Sequence, residues 1–349
     1  MTVDPLLVSA VEERFGALAT APVLAAAERD GWSPALWAAT EEMGLPAISV
    51  PEEAGGQGGT VADALAVLRV AGRYAVPLPL AETGLLAGWM LAASGLPMPS
   101  GPVTTVAARD PDTLTWDGTT VSGSLSGVPW ARSVAAIVVL VGDRVVQFAP
   151  DSVAISPRTN LAGEPRDVIT ADRVTPVAAV PAGPGVDLEA LRLRGALTRI
   201  MLMAGALERV LDLTVRYTGE REQFGRPVAR FQAVQEHLVH LGQQAALAGM
   251  AADVAAREYD RGVTPVEVWA AKTVCGQAAR IATRAAHQAH GAMGMTQEYP
   301  LHHLTRRLWS WTREYDDLRW ARLLGTAVID RGADRLYPLI AGGSAALAT

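Results

Sequence analysis

A glycine–proline turn in the C-terminal half of the chain is flanked by arginines. Its sequence is Arg221-Glu-Gln-Phe-Gly-Arg-Pro-Val-Ala-Arg-Phe-Gln. The spacing of apolar residues predicts that one helix ends near Gly219 and that the turn at Gly225 and Pro227 leads into the next. A cationic, glycine-containing turn at a helix start suits an anion such as a diphosphate. The alternative is that Arg221 and Arg230 are solvated or interact with helix dipoles, which is the commoner role of arginines near helix ends.

Histidines provide a second set of residues that could do chemistry, as metal ligands. No carboxylate or cysteine completes a convincing ligand set around them, so a metal site is not expected. The histidine pairs in question are His237 and His240, His287 and His290, and the adjacent His302 and His303.

Composition narrows the class of protein. The net charge is −6 without any basic block, which gives no reason to expect a nucleic-acid partner. No uncharged apolar run reaches 18 residues, so no membrane span is expected. The N-terminus lacks the basic region of a signal peptide. Cys275 is the only cysteine, which excludes an intrachain disulfide and favours a cytoplasmic location.

The chain divides into three zones that would position these residues. Residues 1–102 show helical spacing, with a glycine-rich loop at 55–59 and a predicted N-cap at Thr60. Residues 103–186 change to short β-prone runs, and the turns at Gly142-Asp143 and at 116–119 predict hairpins. The sequence therefore predicts an α+β protein with a small middle β domain.

Residues 187–349 return to helical spacing almost to the end. Two long amphipathic helices carry stripes of small residues, a pattern typical of closely packed helical bundles. The alanine-rich faces within 244–286 offer more apolar surface than one monomer needs to bury, which predicts an oligomer. Residues 342–349 are predicted to be a frayed tail.

Three segments together resemble the acyl-CoA dehydrogenase family. The turn described above matches that family's R-x-Q-F-G-x-P-x-x-x-F-Q signature. The segment Gln288-Ala-His-Gly-Ala-Met-Gly-Met-Thr-Gln-Glu-Tyr-Pro-Leu resembles Q-x-x-G-G-x-G-x-x-x-E-Y-P. Near the front, Glu42-Met-Gly-Leu-Pro-Ala-Ile-Ser-Val-Pro-Glu-Glu-Ala-Gly-Gly-Gln-Gly resembles G-L-x-x-x-x-V-P-E-x-x-G-G. The matches occur in the expected order and cover most of the chain.

The resemblance implies a fold, a cofactor and a site. The fold is a helical N-terminal domain, a small β domain and a C-terminal four-helix bundle, with FAD at a subunit boundary. Arg221 and Phe224 correspond to the residues that contact the diphosphate and adenosine half of FAD in a neighbouring subunit's site. Ala292 replaces the family's second glycine, so the nucleotide would have to lie slightly farther away. The other residues that the resemblance assigns to the cofactor are Gln223, Gly225, Phe231, Gln232, Gln288, Ala289, His290 and Gly291.

The family's reaction needs a carboxylate base that removes the α-proton of an acyl thioester. Counting forward from Glu298-Tyr299-Pro300 places the usual position of this base at Tyr315, and a slip of one residue supplies Glu314 or Asp316. A second position used in the family falls at Gly195, where no acid is within reach. Glu314 and Asp316 are therefore the candidate bases.

The segment that seats the flavin ring in the family also differs here. In place of T-E-P-x-x-G-S-D the chain has Val106-Ala-Ala-Arg-Asp-Pro-Asp-Thr. The two departures together favour one subunit of a heteromeric enzyme, in which another subunit supplies the base and the ring seat.

Two functions stay open from the sequence. The chain is either a complete dehydrogenase that works as a homo-oligomer, or a non-catalytic subunit that completes its partner's FAD site. In both, the resemblance implies an acyl-CoA substrate and an electron-transfer flavoprotein or similar acceptor.

Overall fold

The structure is a computed structural model that describes residues 3–109, 112–260, 265–315, 317–332 and 337. The chain forms two compact units. One comprises residues 3–67 and 77–198, and the other contains residues 68–76 and the chain from Arg199 onward.

Helices and turns make up the N-terminal part of the first unit. Two helices begin at a proline preceded by a side-chain cap, Asp4 before Pro5 and Ser33 before Pro34. The predicted N-cap at Thr60 is confirmed, because its hydroxyl accepts from the Asp63 amide while the Asp63 carboxylate accepts from Thr60. The helices that begin in this region are α1 (Pro5–Leu18), α2 (Ala21–Asp30), α3 (Pro34–Glu42), α4 (Val61–Arg73), a wide π-helix (Ala81–Gly88) and α5 (Trp89–Ala93).

Two four-stranded sheets form the predicted β domain. Their strands are β1 (Val103–Thr104), β2 (Thr113–Trp116), β3 (Val121–Pro129), β4 (Ala136–Val141), β5 (Arg144–Phe148), β6 (Ala154–Ser156), β7 (Arg166–Val174) and β8 (Ala178–Pro181). The strand orders are β1-β4-β5-β8 and β2-β3-β7-β6. Both predicted hairpins are confirmed, since β4 pairs with β5 and β2 with β3 in antiparallel register. A shared core includes Leu125, Ile137 and Phe148, all buried.

The second unit is mostly helical. Its elements are α6 (Leu188–Glu220), whose first residues belong to the first unit, the short strands β9 (Glu222–Gln223) and β10 (Arg226–Pro227), and the helices α7 (Gln232–Asp260), α8 (Val266–His290), α9 (Leu301–Arg313) and α10 (Asp317–Arg331). Helix α8 packs against α7, α9 and α10.

Small residues allow close helix packing in this unit. A Cβ on Gly72 would lie 2.1 Å from the Leu202 carbonyl oxygen, and one on Gly205 would lie 1.8 Å from that of Arg69. Only glycine fits these two positions, so the backbones of α4 and α6 touch. The predicted small-residue stripe of α7 is likewise buried, at Ala245, Ala248, Ala252 and Ala255.

Candidate functional site

The arginine-flanked turn forms a β-hairpin that projects between α6 and α7. Strands β9 and β10 pair with Gln223 opposite Arg226, which leaves Phe224 and Gly225 as a two-residue loop. Both loop residues have positive φ, 53° and 75°. Such loops favour asparagine or glycine at the first position, so a phenylalanine there carries backbone strain. The sequence predicted the turn but not its strand pairing, because Phe-Gly lacks the usual hairpin signal.

The hairpin presents its side chains outward. Phe224 is 92% exposed, and Arg221 and Gln223 are also exposed. The Phe224 ring meets Phe231 edge-on, with 6.1 Å between centroids, and the Arg226 guanidinium lies over the Phe231 ring at 4.3 Å. An exposed aromatic beside a guanidinium is a surface suited to binding.

The second assigned segment lies where α8 ends. Gln288 and Ala292 are exposed, whereas Ala289 and His290 are buried. Gly291 has φ 60° and ψ −140°, and a Cβ on it would meet no described atom within 4 Å. Because glycine has no Cβ, a ligand can approach this backbone closely.

His290 is at the centre of an aromatic cluster in the same segment. Tyr217 stacks on its ring at 4.5 Å, and the Tyr299 ring lies 4.8 Å away. Nδ1 donates to the Ala286 carbonyl oxygen at 2.8 Å, so Nε2 is the acceptor of the neutral ring, and it has no partner among the described residues. Burial lowers the pKa of His290 and favours this neutral form. Tyr299 donates to the Leu213 carbonyl at 3.0 Å, which links this segment to α6.

Of the two candidate bases, Glu314 is in an ion pair. Its carboxylate lies 2.6 Å from Nε of Arg199, whose side chain is 2% exposed while that of Glu314 is 18% exposed. Tyr315 follows with φ 56°, and its ring lies 5.3 Å from the same guanidinium. The sequence did not indicate this pair, because Arg199 and Glu314 are 115 residues apart. Asp316 lies outside the described residues.

Asp112 organises the entrance of the β domain. The Asp112 carboxylate accepts from the amides of Arg109 and Ser126, both at 2.9 Å, and from the Ser126 hydroxyl at 2.8 Å. In the described part of the segment that replaces T-E-P-x-x-G-S-D, these bonds engage the Arg109 amide and the Asp112 carboxylate. Elsewhere in this domain Thr105 Oγ1 and Trp130 Nε1 are buried without a partner in the described structure.

The nucleotide side and the ring side thus fit FAD unequally. An FAD nucleotide needs a cation for its diphosphate, a flat apolar surface and close backbone approach, which the exposed Arg221, Phe224 and Gly291 provide. On the ring side, among the described residues of the Asp112 turn, the Arg109 amide already donates to the Asp112 carboxylate.

Within the described ranges, no group of three or more histidine, cysteine, aspartate or glutamate side chains could hold a metal ion. In the same part of the chain, no helix has the length and apolar character needed to cross a membrane.

Comparison with known proteins identifies the family. Residues 188–312 match the acyl-CoA dehydrogenase C-terminal domain and residues 7–97 match the acyl-CoA dehydrogenase N-terminal domain. The chain is 30% identical over 281 residues to the acyl-CoA dehydrogenase IpdE2 of Mycobacterium tuberculosis, covering 78% of this chain and 79% of that protein.

Solved structures share the fold. The ChsE4-ChsE5 complex from Mycobacterium tuberculosis matches with a TM-score of 0.81 and 20% identity, covering 95% of this chain and 99% of that one. The steroid acyl-CoA dehydrogenase Tcur3481-Tcur3483 matches with a TM-score of 0.80 and 22% identity, covering 93% and 97%. The predicted architecture is confirmed, and the chain belongs to the acyl-CoA dehydrogenases, a family of FAD-dependent oxidoreductases.

Proposed function

We propose that this chain is one subunit of a heteromeric, FAD-linked acyl-CoA dehydrogenase that forms the α,β-double bond of an acyl-CoA thioester. In this proposal the hairpin completes the nucleotide side of the FAD site of a neighbouring subunit. The observation that carries it is the position of Phe224, a strained and 92% exposed aromatic at the hairpin tip beside the exposed Arg221. Exposing a large ring on a strained residue is unfavourable for a monomer and becomes favourable when another molecule covers it.

Each exposed residue has a distinct role toward the cofactor. Arg221 would donate charge-assisted hydrogen bonds to the diphosphate, and Phe224 would pack on the adenosine half. Gln288 and the backbone at Gly291 would approach the same half from the end of α8. When bound, FAD supplies the hydride acceptor of the reaction, and an electron-transfer flavoprotein or similar acceptor would then reoxidise it.

The chemistry at Glu314 favours a division of labour. A general base must be able to leave its partners and accept a proton. Glu314 is instead the counter-ion of a buried arginine, which supports the narrower proposal that this chain is a non-catalytic, flavin-completing subunit whose mate supplies the base. The similar ChsE4-ChsE5 structure is a complex, which also supports a heteromer.

A visible absorption spectrum tests the proposal. The chain would be purified alone and after co-expression with a dehydrogenase-like neighbour encoded beside it. We expect the lone chain to be colourless and the complex to contain flavin that an acyl-CoA bleaches. Stoichiometric, acyl-CoA-reducible flavin on the lone chain would instead mean a self-sufficient homo-oligomer.

A variant identifies the contribution of this chain. Arg221→Ala should reduce flavin retention in the complex by about tenfold or more, since it removes hydrogen bonds from a charged donor. Arg29→Ala is the matched control, because Arg29 is an exposed arginine on α2 whose ion pair within the described part of the chain is with its neighbour Asp30. Equal flavin content in the Arg221→Ala complex and its parent would contradict the assigned role.

A further inference from the structure

Helix α7 leaves an apolar face exposed on the side opposite to the one that it buries. Its buried face consists of the alanines described above, which pack inside the second unit. The exposed face carries four large apolar side chains that are 39–68% exposed, and the exposed Ala246 lies among them. The four are Val239, Leu247, Met250 and Val254. With about 3.6 residues per turn, all five positions lie on one side of the helix, and such a continuous apolar face suits association.

We infer that this face of α7 pairs with the same face of a second copy of the chain. The two helices run antiparallel, with a two-fold axis between Ala246 and Leu247. The inference goes beyond the proposed function, because it assigns a surface outside the hairpin and outside the end of α8.

The sequence of the exposed face is self-complementary about that axis. In an antiparallel pair, positions at equal distances on either side of the centre meet in one layer, and the two-fold axis forms each layer twice. The layers, from the centre outward, pair Ala246 with Leu247, Gln243 with Met250, and Val239 with Val254. A small side chain thus faces a large one at the axis, and Gln243 is the one polar member of the three layers.

Opposite charges lie beyond the apolar layers, at equal distances from the centre. Glu236 and Arg257 are both exposed, and the pairing brings Glu236 of one copy opposite Arg257 of the other at both ends of the contact. Within the chain, Arg257 Nε pairs with Glu258 at 3.1 Å, and a guanidinium can donate to a second carboxylate through its terminal nitrogens. A parallel pair would bring like charges together, so the charges select the antiparallel direction.

The size and symmetry of the face identify its occupant. From Glu236 to Arg257 the face is about 30 Å long at about 1.5 Å per residue. Stable interfaces bury about 1,200–2,000 Å² in total, and one helix pair of this length is at the lower end of that range. A protein of different sequence would need its own matching order of apolar and charged residues, whereas a second copy provides that order by symmetry.

Disulfide cross-linking tests the register. Two differently tagged copies of the full chain, one with Val239→Cys and the other with Val254→Cys, would be co-expressed with the dehydrogenase-like neighbour and oxidised with copper phenanthroline. The native Cys275 is buried and should not react. We expect a disulfide that joins the two tags. With Val239→Cys in both copies, the two cysteines would be about 22 Å apart, beyond the reach of a disulfide, so this pair is the matched control.

A disulfide that forms equally well in the mixed pair and in the control, or in neither, would overturn the inference. So would a change of occupant. Val254→Cys labelled with benzophenone maleimide should capture the second tagged copy on illumination. Capture of the neighbouring dehydrogenase-like protein instead would show that a mate covers this face.

Substitution at the axis tests the strength of the contact. Leu247→Lys would place two lysines side by side and should weaken the association of the two copies at least about tenfold in analytical ultracentrifugation. Leu6→Lys is the matched control, because Leu6 is an apolar residue on α1 that is 77% exposed, and it should leave the association unchanged. Equal association in both variants would contradict the assigned interface.

Exchange of the end charges tests the antiparallel direction. Glu236→Arg alone would bring two cations together at each end and should weaken association by about tenfold. The double variant Glu236→Arg/Arg257→Glu restores opposite signs and should recover most of that loss. A double variant that associates as weakly as the sum of its single variants predicts would exclude this pairing.

Flavin content in the same preparations separates this inference from the proposed function. Flavin that is lost with Arg221→Ala, together with no disulfide between tagged copies, would keep the proposed function and remove the α7 interface. A disulfide between tagged copies in a colourless preparation would do the reverse.

Discussion

The hairpin at 221–231 and the segment at 311–315 differ in how exposed their candidate functional side chains are. In the hairpin, the side chains of Arg221 and Phe224 are exposed and can contact another molecule. In the second segment, Glu314 is paired with a buried arginine. Both segments lie in the same compact unit, and the sequence resemblance is what implies a functional role for each.

The difference indicates which segment stabilises the folded chain and which segment is available for association. Groups that are satisfied internally contribute to the stability of the chain that carries them. Groups left exposed at the tip of a strained turn contribute little to that stability and gain partners only on association. Stability variants should therefore be most severe near 311–315, and binding variants most severe at the hairpin.

Lys272→Arg should have the largest effect on stability, although the substitution keeps the charge. The longer guanidinium has to fit a fully buried position in which Nζ donates to the carbonyl oxygens of Trp311 and Thr312, so overpacking or unsatisfied carbonyls should lower the free energy of unfolding by about 2–4 kcal/mol. Urea unfolding measures this. Arg226→Lys on the exposed hairpin is the control and should change stability by less than about 0.5 kcal/mol. Similar values for both variants would remove the contrast between the two segments.

Local signals explain which features the sequence predicted. The hairpin turns of the β domain and the cap at Thr60 depend on neighbouring residues, so short motifs revealed them. The Arg199–Glu314 pair and the Lys272 contacts join residues far apart in sequence, and no pattern within one helix encodes them. The domain boundaries at 102 and 186 and the roles of the site residues stay predictions.

Two further features had no usable sequence signal. A Cβ on Gly183 would lie 1.8 Å from the Ala93 carbonyl oxygen, so the segment that follows β8 is closely packed. The π-helix at Ala81–Gly88 has a composition that an α-helix would also accept. Such features depend on packing that appears only when the chain has folded.

Phe224→Asn should separate binding from stability at the hairpin. Asparagine adopts positive φ more readily than phenylalanine, so the isolated chain should gain roughly 0.5 kcal/mol of stability. The complex should lose about tenfold in flavin retention, because the aromatic surface is gone. Differential scanning calorimetry of the chain and flavin release from the complex measure the two effects. Leu6→Asn, at an exposed apolar position on α1 outside the hairpin, should leave flavin retention unchanged. A variant that retains flavin at the parental level would count against Phe224 as a contact.

His290 combines features of both segments, because it is buried while its neighbours Gln288 and Gly291 at the end of α8 are exposed. Burial lowers its pKa and that of His287, so the unfolded chain takes up protons near pH 6.5 before the folded chain does. The contribution of these histidines to the free energy of unfolding should be constant above about pH 6.5 and should fall as the pH drops below it. His290→Phe keeps a stacking ring without the titration and should reduce this slope in Tm measured against pH. An unaltered slope in His290→Phe would show that other groups control acid stability.

The reaction rate of the Cys275 thiol tests how tightly the interior beside Lys272 is packed. The thiol is one turn along α8 from Lys272 and fully buried, and burial raises its pKa to about 12 from 9.0. The native thiol should react with a disulfide reagent at least about a hundredfold more slowly than the unfolded thiol, because both exposure and thiolate are lacking. Since the folded pKa is raised, the contribution of Cys275 to stability should be constant below about pH 9 and decline as the pH rises from there toward 12. Cys275→Ala should remove part of that decline, and Tyr299, whose pKa burial also raises, should account for another part. Rapid labelling of the native chain would show that α8 opens readily, and a lysine on such a helix could not hold residues 311–315 in place.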